Sequence, residues 1–532
     1  MICFMEALVI GCFLQDVFRE KNRKTVLAGS ILAIVICGGL LAWMYSFKNI
    51  KPDHKVTAGV IGFLAVYLIL FAVGTSVKKM YRIFPAAVLL VLICELFVLD
   101  YPSLWHRESP TRNQVATEYY NDGTKEAVAM LKEQDDSVYR IEKSYTSASE
   151  NDGMSQGYNG LSVYMSTNPA SLVAYHKMYG PETLSGNFVD FNMDDYIRSS
   201  LLGTKYLITG TGYHAPQKIY TSVGEAGGRS VFENQYALPF GYLYDKEWNQ
   251  EEVKEMSGLD KTLASLSGFY YTDAEETSSY QKADLPEQTD LSLLDYADTA
   301  TDCTMEKGSE GITVSNLGAD PNVVFPGVAS CFADNDKLYG LSLTVDAPDE
   351  TEMAVYYQTE GDEGFSAEKV YTFKVTEDNR TWEHLVPGGI TELRVDVSSP
   401  VESAVINNFE LKSCDITESG YTALKESGVD EVTFSDSTYQ AQVTNDASEN
   451  KMLCVPLFYQ KGWTAQIDGE DAGVYNINEG MCGVEVPSGT HEIVLKYETP
   501  YQNYGVGMTI IGIIIFILAF SQNLYKFFVK LC

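Results

Sequence analysis

The densest group of side chains suited to binding a sugar lies between residues 151 and 165. This stretch contains the amides of Asn151 and Asn159, the carboxylate of Asp152, the phenol of Tyr158 and the hydroxyl of Ser162. Such groups form hydrogen bonds with sugar hydroxyls, and an aromatic face packs against a sugar ring. The same composition is typical of structural turns, so a binding loop and a polar connector both stay open. We take these five residues as candidate substrate-binding residues.

Few other ionisable residues are candidates for catalysis. Asp53 and His54 adjoin in FKNIKPDHK, which we interpret as an ordinary polar turn between two apolar runs rather than a catalytic pair. Glu6 and Glu95 lie in or beside apolar runs, where a charged group is costly and is therefore a functional candidate. Both glutamates fit equally well near the end of a helix. The catalytic residues therefore stay unknown.

The sequence contains no clear motif for binding a metal ion or a phosphate group. His176 and His214 are isolated, which favours ordinary core or surface histidines over zinc ligands. The chain contains no G-x-S-x-G, no HExxH and no glycine-rich phosphate loop. The sequence thus predicts no metal site and no identified cofactor.

Five apolar runs flank a polar region of about four hundred residues. The runs cover about 2–14, 25–47, 56–76, 83–99 and 504–520. A helix of about twenty apolar residues crosses the hydrocarbon of a bilayer, although the first run is short. We therefore predict a multi-pass α-helical membrane region, with four transmembrane helices in residues 1–100 and a C-terminal one in residues 504–532. The lipid bilayer is the first predicted partner.

Basic residues predict the orientation of this region in a bacterial cell membrane. They concentrate in residues 16–24 and 77–82 and in the tail after residue 520, and cytoplasmic loops carry such an excess. The polar region 101–503 is then extracytoplasmic. Residue 1 would also start outside, which is unusual, so we expect the chain to be the C-terminal part of a longer one.

Charge separates the polar region from the rest. The chain has 38 Lys+Arg and 72 Asp+Glu, a net charge of -34; 12 and 6 of these lie outside residues 101–503, leaving 26 and 66 inside, a net of -40. So acidic a region excludes nucleic acid as an electrostatic partner. A solvated acidic surface explains the charge.

Hydrophobic periodicity divides the polar region into four parts. Residues 101–245 mix helical and strand periods and predict an extracytoplasmic α+β lobe, which ENQYALPFGYLYD closes as a pair of strands. Residues 246–300 predict an acidic connector. Residues 301–415 alternate with period two and predict an all-β sandwich, jelly-roll-like in class. Residues 416–503 predict a membrane-proximal β-rich domain.

Five cysteines lie in the polar region: Cys303, Cys331, Cys414, Cys454 and Cys482. An odd number without C-x-x-C spacing indicates neither a zinc site nor a disulfide framework. One bridge between Cys454 and Cys482 is permitted.

Several segments in order resemble the bacterial YfhO family. They are LLGTKYLIT, SVFENQYALPFGYLYD, GWTAQIDG and VPSGTHEIVLKYETP. LRVDVSSPVESAVINNFEL is similar to carbohydrate-binding-like modules of envelope glycan enzymes. The resemblance implies an integral membrane glycosyltransferase of the GT-C type. Its expected partners are a sugar linked to undecaprenyl phosphate and an envelope polymer acceptor such as lipoteichoic acid.

The resemblance also implies parts that this chain lacks. Such enzymes carry a catalytic carboxylate in the first exterior loop and have more membrane spans, so we expect the catalytic segment to lie upstream. A carboxylate is needed there to take the proton of the acceptor hydroxyl, and a divalent cation or a basic residue would hold the leaving phosphate. The alternative is a non-catalytic envelope protein that binds glycan or organises partner enzymes.

Overall fold

The structure is a computed structural model in which these residues are described: 28–29, 31–32, 35–36, 39, 54–76, 83–105, 111–148, 151–179, 188–189, 195–210, 213, 215–216, 218–272, 280–397 and 402–531. Two compact units divide the chain, Met1–Arg112 and Asn113–Cys532. The predicted boundaries within the second unit, near residues 245, 300 and 415, stay predictions.

Two helices are described in full in the first unit, His54–Ser76 and Phe84–Trp105. They pack on each other, and Tyr67 of the first donates a 2.6 Å hydrogen bond to a carboxylate oxygen of Glu95 in the second. Most of the described apolar side chains in residues 84–98 are exposed rather than packed in a protein core.

The predicted multi-pass α-helical membrane region is wrong as a description of this structure. Among the described residues, no helix is both long enough and apolar enough to qualify as a membrane span. An apolar run forms a membrane span only if one continuous helix contains about twenty of its apolar residues. The composition of the run does not show where such a helix begins and ends. The predicted helix at 2–14 and most of that at 25–47 lie outside the described residues. Described elements after residue 139 are mostly β-strands.

The α+β lobe begins the second unit and contains a four-stranded sheet, which we call the lobe sheet. Its strands, in spatial order, are Arg140–Lys143, Thr204–Thr209, Arg229–Asn234 and Tyr220–Ala226. The first pair is parallel and the other two are antiparallel. The short strands Val163–Tyr164 and Phe188–Val189 form a separate pair. The described helices of the lobe are Arg112–Thr117, Tyr119–Asn121 (3-10), Thr124–Gln134, Asp152–Gln156, Ala170–Tyr179 and Tyr196–Leu201.

Helix Thr124–Gln134 covers the lobe sheet because its apolar residues recur on one face. Ala127 and Leu131, four residues apart, are fully buried against Ile208 and Val231 of the sheet. Burial of apolar surface at this spacing is what holds the helix in place. The lobe therefore has its own small core.

Residues 242–296 pack against both the lobe and the sandwich. Trp248 and Phe269 are buried in this stretch, although its composition is acidic and polar. The helices are Gln250–Glu255, Gly258–Ser267 and Leu294–Tyr296 (3-10), and the strands are Tyr242–Tyr244, Lys246–Glu247, Gln281–Lys282 and Thr289–Ser292.

The sandwich consists of two antiparallel sheets around one apolar core. Sandwich sheet 1 contains Thr304–Gly308, Gly311–Ser315, Ser403–Asp415, Lys337–Asp346 and Thr381–Val386, with Thr289–Ser292 added beside Ser403–Asp415. Sandwich sheet 2 contains Thr299–Thr301, Asn322–Phe325, Ile390–Val397, Thr351–Thr359 and Val370–Val375. A 3-10 helix, Val328–Phe332, joins the sheets. The predicted period of two thus corresponds to real strands.

Two further sheets follow helix Tyr421–Glu426 and enclose a separate core. One contains Asp430–Ser435, Thr438–Asn445, Gly489–Tyr497, Trp463–Ile467 and Glu470–Ala472. The other contains Tyr475–Ile477, Met481–Val486, Lys451–Phe458 and Tyr242–Tyr244. The chain continues as helix Gln502–Leu531.

The permitted bridge between Cys454 and Cys482 is not formed, and both thiols are free and buried. Cys454 pairs with Gly483 across two neighbouring strands, whereas Cys482 pairs with Val455. Because successive residues of a strand point to opposite faces, the two thiols lie on opposite sides of the sheet.

Candidate functional site

The 151–165 segment is built from a short helix and a short strand. Helix Asp152–Gln156 ends at Gly157, whose φ of 79° lets the chain turn back, and its N–H donates to the carbonyl of Gly153. The strand Val163–Tyr164 then pairs with Phe188–Val189. The segment is therefore ordered by its own hydrogen bonds.

Two of the predicted site residues bind backbone groups. The amide nitrogen of Asn151 donates to the carbonyl of Tyr164 at 2.8 Å, and the N–H of Tyr164 donates to Asn151 Oδ1 at 3.1 Å. Asn159 Nδ2 donates to the carbonyl of Tyr139 at 3.3 Å. Ser162 is half-buried. These contacts hold the segment against the lobe and fix the backbone of Tyr164.

Asp152 is 3% exposed and forms a buried ion pair. Its Oδ2 accepts a hydrogen bond from Lys143 Nζ at 2.7 Å and another from the N–H of Ser147 at 2.6 Å, while Oδ1 accepts from the N–H of Ala148 at 3.1 Å. The Lys143 ammonium also lies 5.9 Å from the ring centre of Tyr158. Both carboxylate oxygens are thus occupied by protein donors.

A second carboxylate extends this network across the lobe. Asp122 accepts hydrogen bonds from Ser147 Oγ at 2.7 Å and Gln156 Nε2 at 3.1 Å, and it pairs with Arg229 Nη2 at 3.1 Å. The Arg229 guanidinium lies 4.0 Å from the ring centre of Tyr145. We call Asp122, Lys143, Asp152 and Arg229 the ion-pair cluster.

Electrostatics act in opposite directions on two groups of the ion-pair cluster. Burial raises the pKa of Asp122, but hydrogen bonds from Ser147 and Thr124 outweigh it, so that pKa lies below its usual value. Burial lowers the pKa of Lys143 below its usual value, and the hydrogen bond and charge of Asp152 offset only part of this shift. The formal charges of the two carboxylates and the two cations balance one another. The ion-pair cluster thus fixes the start of the 151–165 segment to the rest of the lobe.

The exposed aromatic side chain of the segment is Tyr164. It is 55% exposed, and Met154 and Met165 of the same segment are also exposed. Tyr158, the aromatic residue among the five predicted substrate-binding residues, is half-buried. A signal for Tyr164 exists in the sequence, because alternation along Val163–Tyr164 turns the two side chains to opposite sides.

The remaining predicted candidates do not join this cluster in the described structure. Glu6, Asp53 and His214 lie outside the described residues. His54 is the first residue of a helix, and His176 is buried within one. In the described parts of the chain, no group of three His, Cys, Asp or Glu side chains could hold a metal ion.

A second polar surface, which we did not identify from the sequence, lies on the outer face of sandwich sheet 2. The Arg394 guanidinium lies 4.9 Å from the ring centre of Tyr356 and 5.8 Å from that of Phe365. Asp396 accepts two hydrogen bonds from it, at 2.6 Å from Nε and 2.5 Å from Nη2, and Asp320 lies 3.4 Å from Nη2. We call these five residues the arginine face. Alternation in TELRVDV predicts that Arg394 and Asp396 share one side of the strand, but not which neighbours they meet.

Comparison with known sequences gives one family over nearly the whole chain. The sequence model described as "Bacterial membrane protein YfhO" matches residues 1–509. The uncharacterized protein YfhO of Bacillus subtilis (strain 168) is 21% identical over 525 residues, which cover 93% of this chain and 56% of that protein. The chain thus spans about half the length of this curated relative.

Solved structures give only distant likenesses. The C-terminal CBM6 of LamC from Zobellia galactanivorans is 13% identical, with 24% of this chain and 100% of that chain covered and a TM-score of 0.16. Arabinofuranosyltransferase AftD from mycobacteria is 10% identical, with 43% of this chain and 29% of that chain covered and a TM-score of 0.14. At these TM-scores neither likeness supports a conclusion about this chain.

Proposed function

Because the chain belongs to the YfhO family of bacterial membrane proteins, we propose that it serves cell-envelope glycosylation at the bacterial membrane. In the proposed reaction, a hydroxyl oxygen of an envelope polymer such as lipoteichoic acid attacks the anomeric carbon of a sugar. The bond from that carbon to undecaprenyl phosphate breaks, the lipid phosphate leaves, and a general base takes the hydroxyl proton. No residue of this chain is assigned as that base.

The observation that carries this proposal is the construction of the 151–165 segment. Its exposed ring, Tyr164, has its backbone fixed by both polar atoms of Asn151, and the helix before it is held by the buried Asp152–Lys143 pair. A rigid aromatic platform beside amides binds sugar at low cost in conformational entropy. We assign the acceptor to this surface. Tyr164 contacts a sugar ring of the acceptor polymer, whereas Asn151 and Asp152 are positioning residues.

The test of this role is sugar transfer in the host bacterium. A strain lacking the protein is complemented with the natural protein, with Tyr164→Ala or with Tyr119→Ala, and the sugar content of lipoteichoic acid is measured. We expect Tyr164→Ala to lower the sugar content several-fold at equal protein level, because stacking on an aromatic ring contributes about 1 kcal/mol or more. Tyr119 is another exposed tyrosine of the lobe, so its variant is the matched control.

Two outcomes would overturn the proposal in different ways. If the deletion strain glycosylates its lipoteichoic acid normally, the protein has no role in that transfer. If Tyr164→Ala and Tyr119→Ala are indistinguishable, the acceptor lies elsewhere.

We also propose how the protein meets the membrane. Apolar side chains exposed on Phe84–Trp105 and Gln502–Leu531, such as Phe97 and Ile515, would contact lipid. The concentration of Lys and Arg in residues 16–24 and 77–82 and after residue 520 supports an extracytoplasmic position for residues 101–503.

A glycan-binding or scaffolding protein without transferase activity is the second candidate. The arginine face favours it, because a polar aromatic surface on a β-sandwich can hold the neutral sugars of a polymer without reacting with them. The two candidates differ in one result. A non-catalytic protein would leave the sugar content of isolated polymer unchanged and alter only its retention at the cell surface.

A further inference from the structure

The arginine face combines aromatic rings with a rigidly held guanidinium. Leu393 and Val395 point into the sandwich core, so Arg394 between them points outward. Tyr356 is its direct cross-strand neighbour, and Phe365 approaches from the following loop. The Arg394 side chain is 21% exposed, so part of it is open to solvent.

The hydrogen-bonding capacity of this guanidinium is only partly used. Asp396 occupies Nε and one Nη2 hydrogen, and the second carboxylate, Asp320, is 3.4 Å from Nη2. Among the described residues, the hydrogen bonds of this guanidinium come from Nε and Nη2, and Nη1 carries two further donors. Asp320 is itself 70% exposed, so its carboxylate oxygens also face solvent.

Small side chains adjoin this group on the same outer face. Asp396 lies opposite Ala354 on one neighbouring strand and Asn322 on the other. Both are buried, Ala354 at 9% and Asn322 at 3% exposure. The accessible part of this face therefore lies at Arg394, Phe365 and the exposed Asp320 rather than over Asp396.

We propose that the arginine face binds a neutral saccharide. The hydroxyls of a sugar both accept and donate hydrogen bonds, so they match the Nη1 donors and the open oxygens of Asp320. The C–H surface of a sugar ring packs on Tyr356 or Phe365. Binding here goes beyond the proposed transfer reaction, because it requires no chemistry and no lipid-linked donor.

Charge excludes the competing ligand class, an anionic polymer. Arg394 contributes one positive charge, while Asp320 and Asp396 contribute two negative charges. The local balance is negative, so a phosphate group would be repelled rather than attracted. The guanidinium acts as a planar donor held in position by Asp396, not as a free cation.

The binding test uses the purified 532-residue chain and four neutral tetrasaccharides: cellotetraose, laminaritetraose, maltotetraose and tetraacetylchitotetraose. We expect calorimetry to detect at least one of them. Arg394→Gln should weaken that binding about tenfold or more, since it removes charge-assisted hydrogen bonds. Asp320→Asn is the second variant, because its exposed side chain supports no core and the protein should fold normally.

The matched control is Arg380→Gln. Arg380 also pairs with an aspartate, Asp346, but it lies on sandwich sheet 1 rather than sheet 2, and no aromatic ring flanks it among the described residues. This variant should bind the saccharide as the natural protein does.

The proposal is overturned if none of the four saccharides binds, if Arg394→Gln and Asp320→Asn both bind normally, or if polyglycerol phosphate displaces the sugar. Failure here leaves the result for Tyr164 unaffected, because that test measures transfer.

Discussion

At the scale of single residues, burial decides what a polar side chain can do. Asp152 has the chemistry of a sugar ligand, yet it is 3% exposed and both its oxygens accept protein hydrogen bonds. Tyr164 was not singled out from the sequence, yet it presents its ring to solvent. The role of this segment in binding stays a prediction, but the accessibilities assign ring contact to Tyr164 and a positioning role to Asp152 within it.

The Asp152–Lys143 pair gives a stability prediction. Asp152→Asn should lower the free energy of unfolding by about 3 kcal/mol, because it leaves the Lys143 ammonium buried without its counter-charge. Chemical denaturation of the purified chain measures the change. Asp378→Asn, at an exposed position, is the matched control and should change stability by no more than about 0.5 kcal/mol.

An equal effect of the two substitutions would contradict this account of the cluster. Replacing both partners, as Asp152→Leu with Lys143→Met, should be less destabilising than Asp152→Asn alone, because neither partner of this pair is then left as a buried charge without its counter-charge.

His491 gives a prediction for the pH dependence of stability. Its Nδ1 lies 2.7 Å from Asp468 Oδ2, and this hydrogen bond raises the pKa of His491 above its ordinary value of 6.5. A pKa raised by folding means that the pair stabilises the protein fully below the unfolded pKa. The stabilisation is lost as the pH rises through the folded pKa.

Thermal unfolding between about pH 5 and about pH 9 checks this sign. The melting temperature of the natural protein should exceed that of His491→Gln at the acidic end, and the two should converge at the alkaline end. Asp468→Asn should give the same convergence. A difference that grows with rising pH would show that the pair is not the cause.

At the scale of elements, two helices approach each other so closely at Gly420 that a side chain at this position would clash with the backbone of the other helix. Gly420 precedes helix Tyr421–Glu426 with a φ of 90°, and a Cβ there would lie 2.4 Å from the carbonyl oxygen of Leu266 in helix Gly258–Ser267. Backbone cannot move aside as the end of a side chain can. The sequence shows the glycine but not the helix that passes beside it.

Gly420→Ala should therefore destabilise the protein by more than its backbone angle alone explains. Gly361→Ala isolates the angle, because Gly361 has a similar φ of 93° and nothing within 4 Å of its Cβ position. The control should cost about 1–2 kcal/mol, and Gly420→Ala about 1–3 kcal/mol more. Denaturant unfolding of both variants measures the difference. Equal losses would mean that the two helices separate without penalty.

At the scale of the whole molecule, the family and the charge distribution bear on where the protein acts. Membership of a bacterial membrane family agrees with the membrane localisation that we predicted, whereas the predicted set of spanning helices is overturned. The extracytoplasmic position of residues 101–503 stays a proposal, and it requires an experiment in cells.

Labelling of a single cysteine tests that position. In a variant whose native cysteines are replaced, Ser437→Cys should react with a membrane-impermeant maleimide in intact cells, because residue 437 is exposed in the turn between two strands. A cytoplasmic protein of the same cells serves as the control for impermeance. Labelling only after lysis would place this region inside.

Elements with local causes were predictable from the sequence. The apolar spacing in TKEAVAMLKEQ predicts helix Thr124–Gln134, and alternation predicts strands such as Ile390–Val397. The pairing within ENQYALPFGYLYD was wrong: Arg229–Asn234 pairs inside the lobe sheet, whereas Tyr242–Tyr244 pairs with Lys451–Phe458. Strand type depends on neighbouring residues, but strand partners depend on the whole chain.

The sequence by itself determined the family, the acidic character of residues 101–503, and the segment in which polar and aromatic residues concentrate. Only the tertiary structure decided that Asp122 meets Arg229 and that Arg394 lies beside Tyr356. The reason is distance along the chain. Periodicity reports contacts a few residues apart, whereas these groups are brought together by the burial of apolar surface throughout the domain.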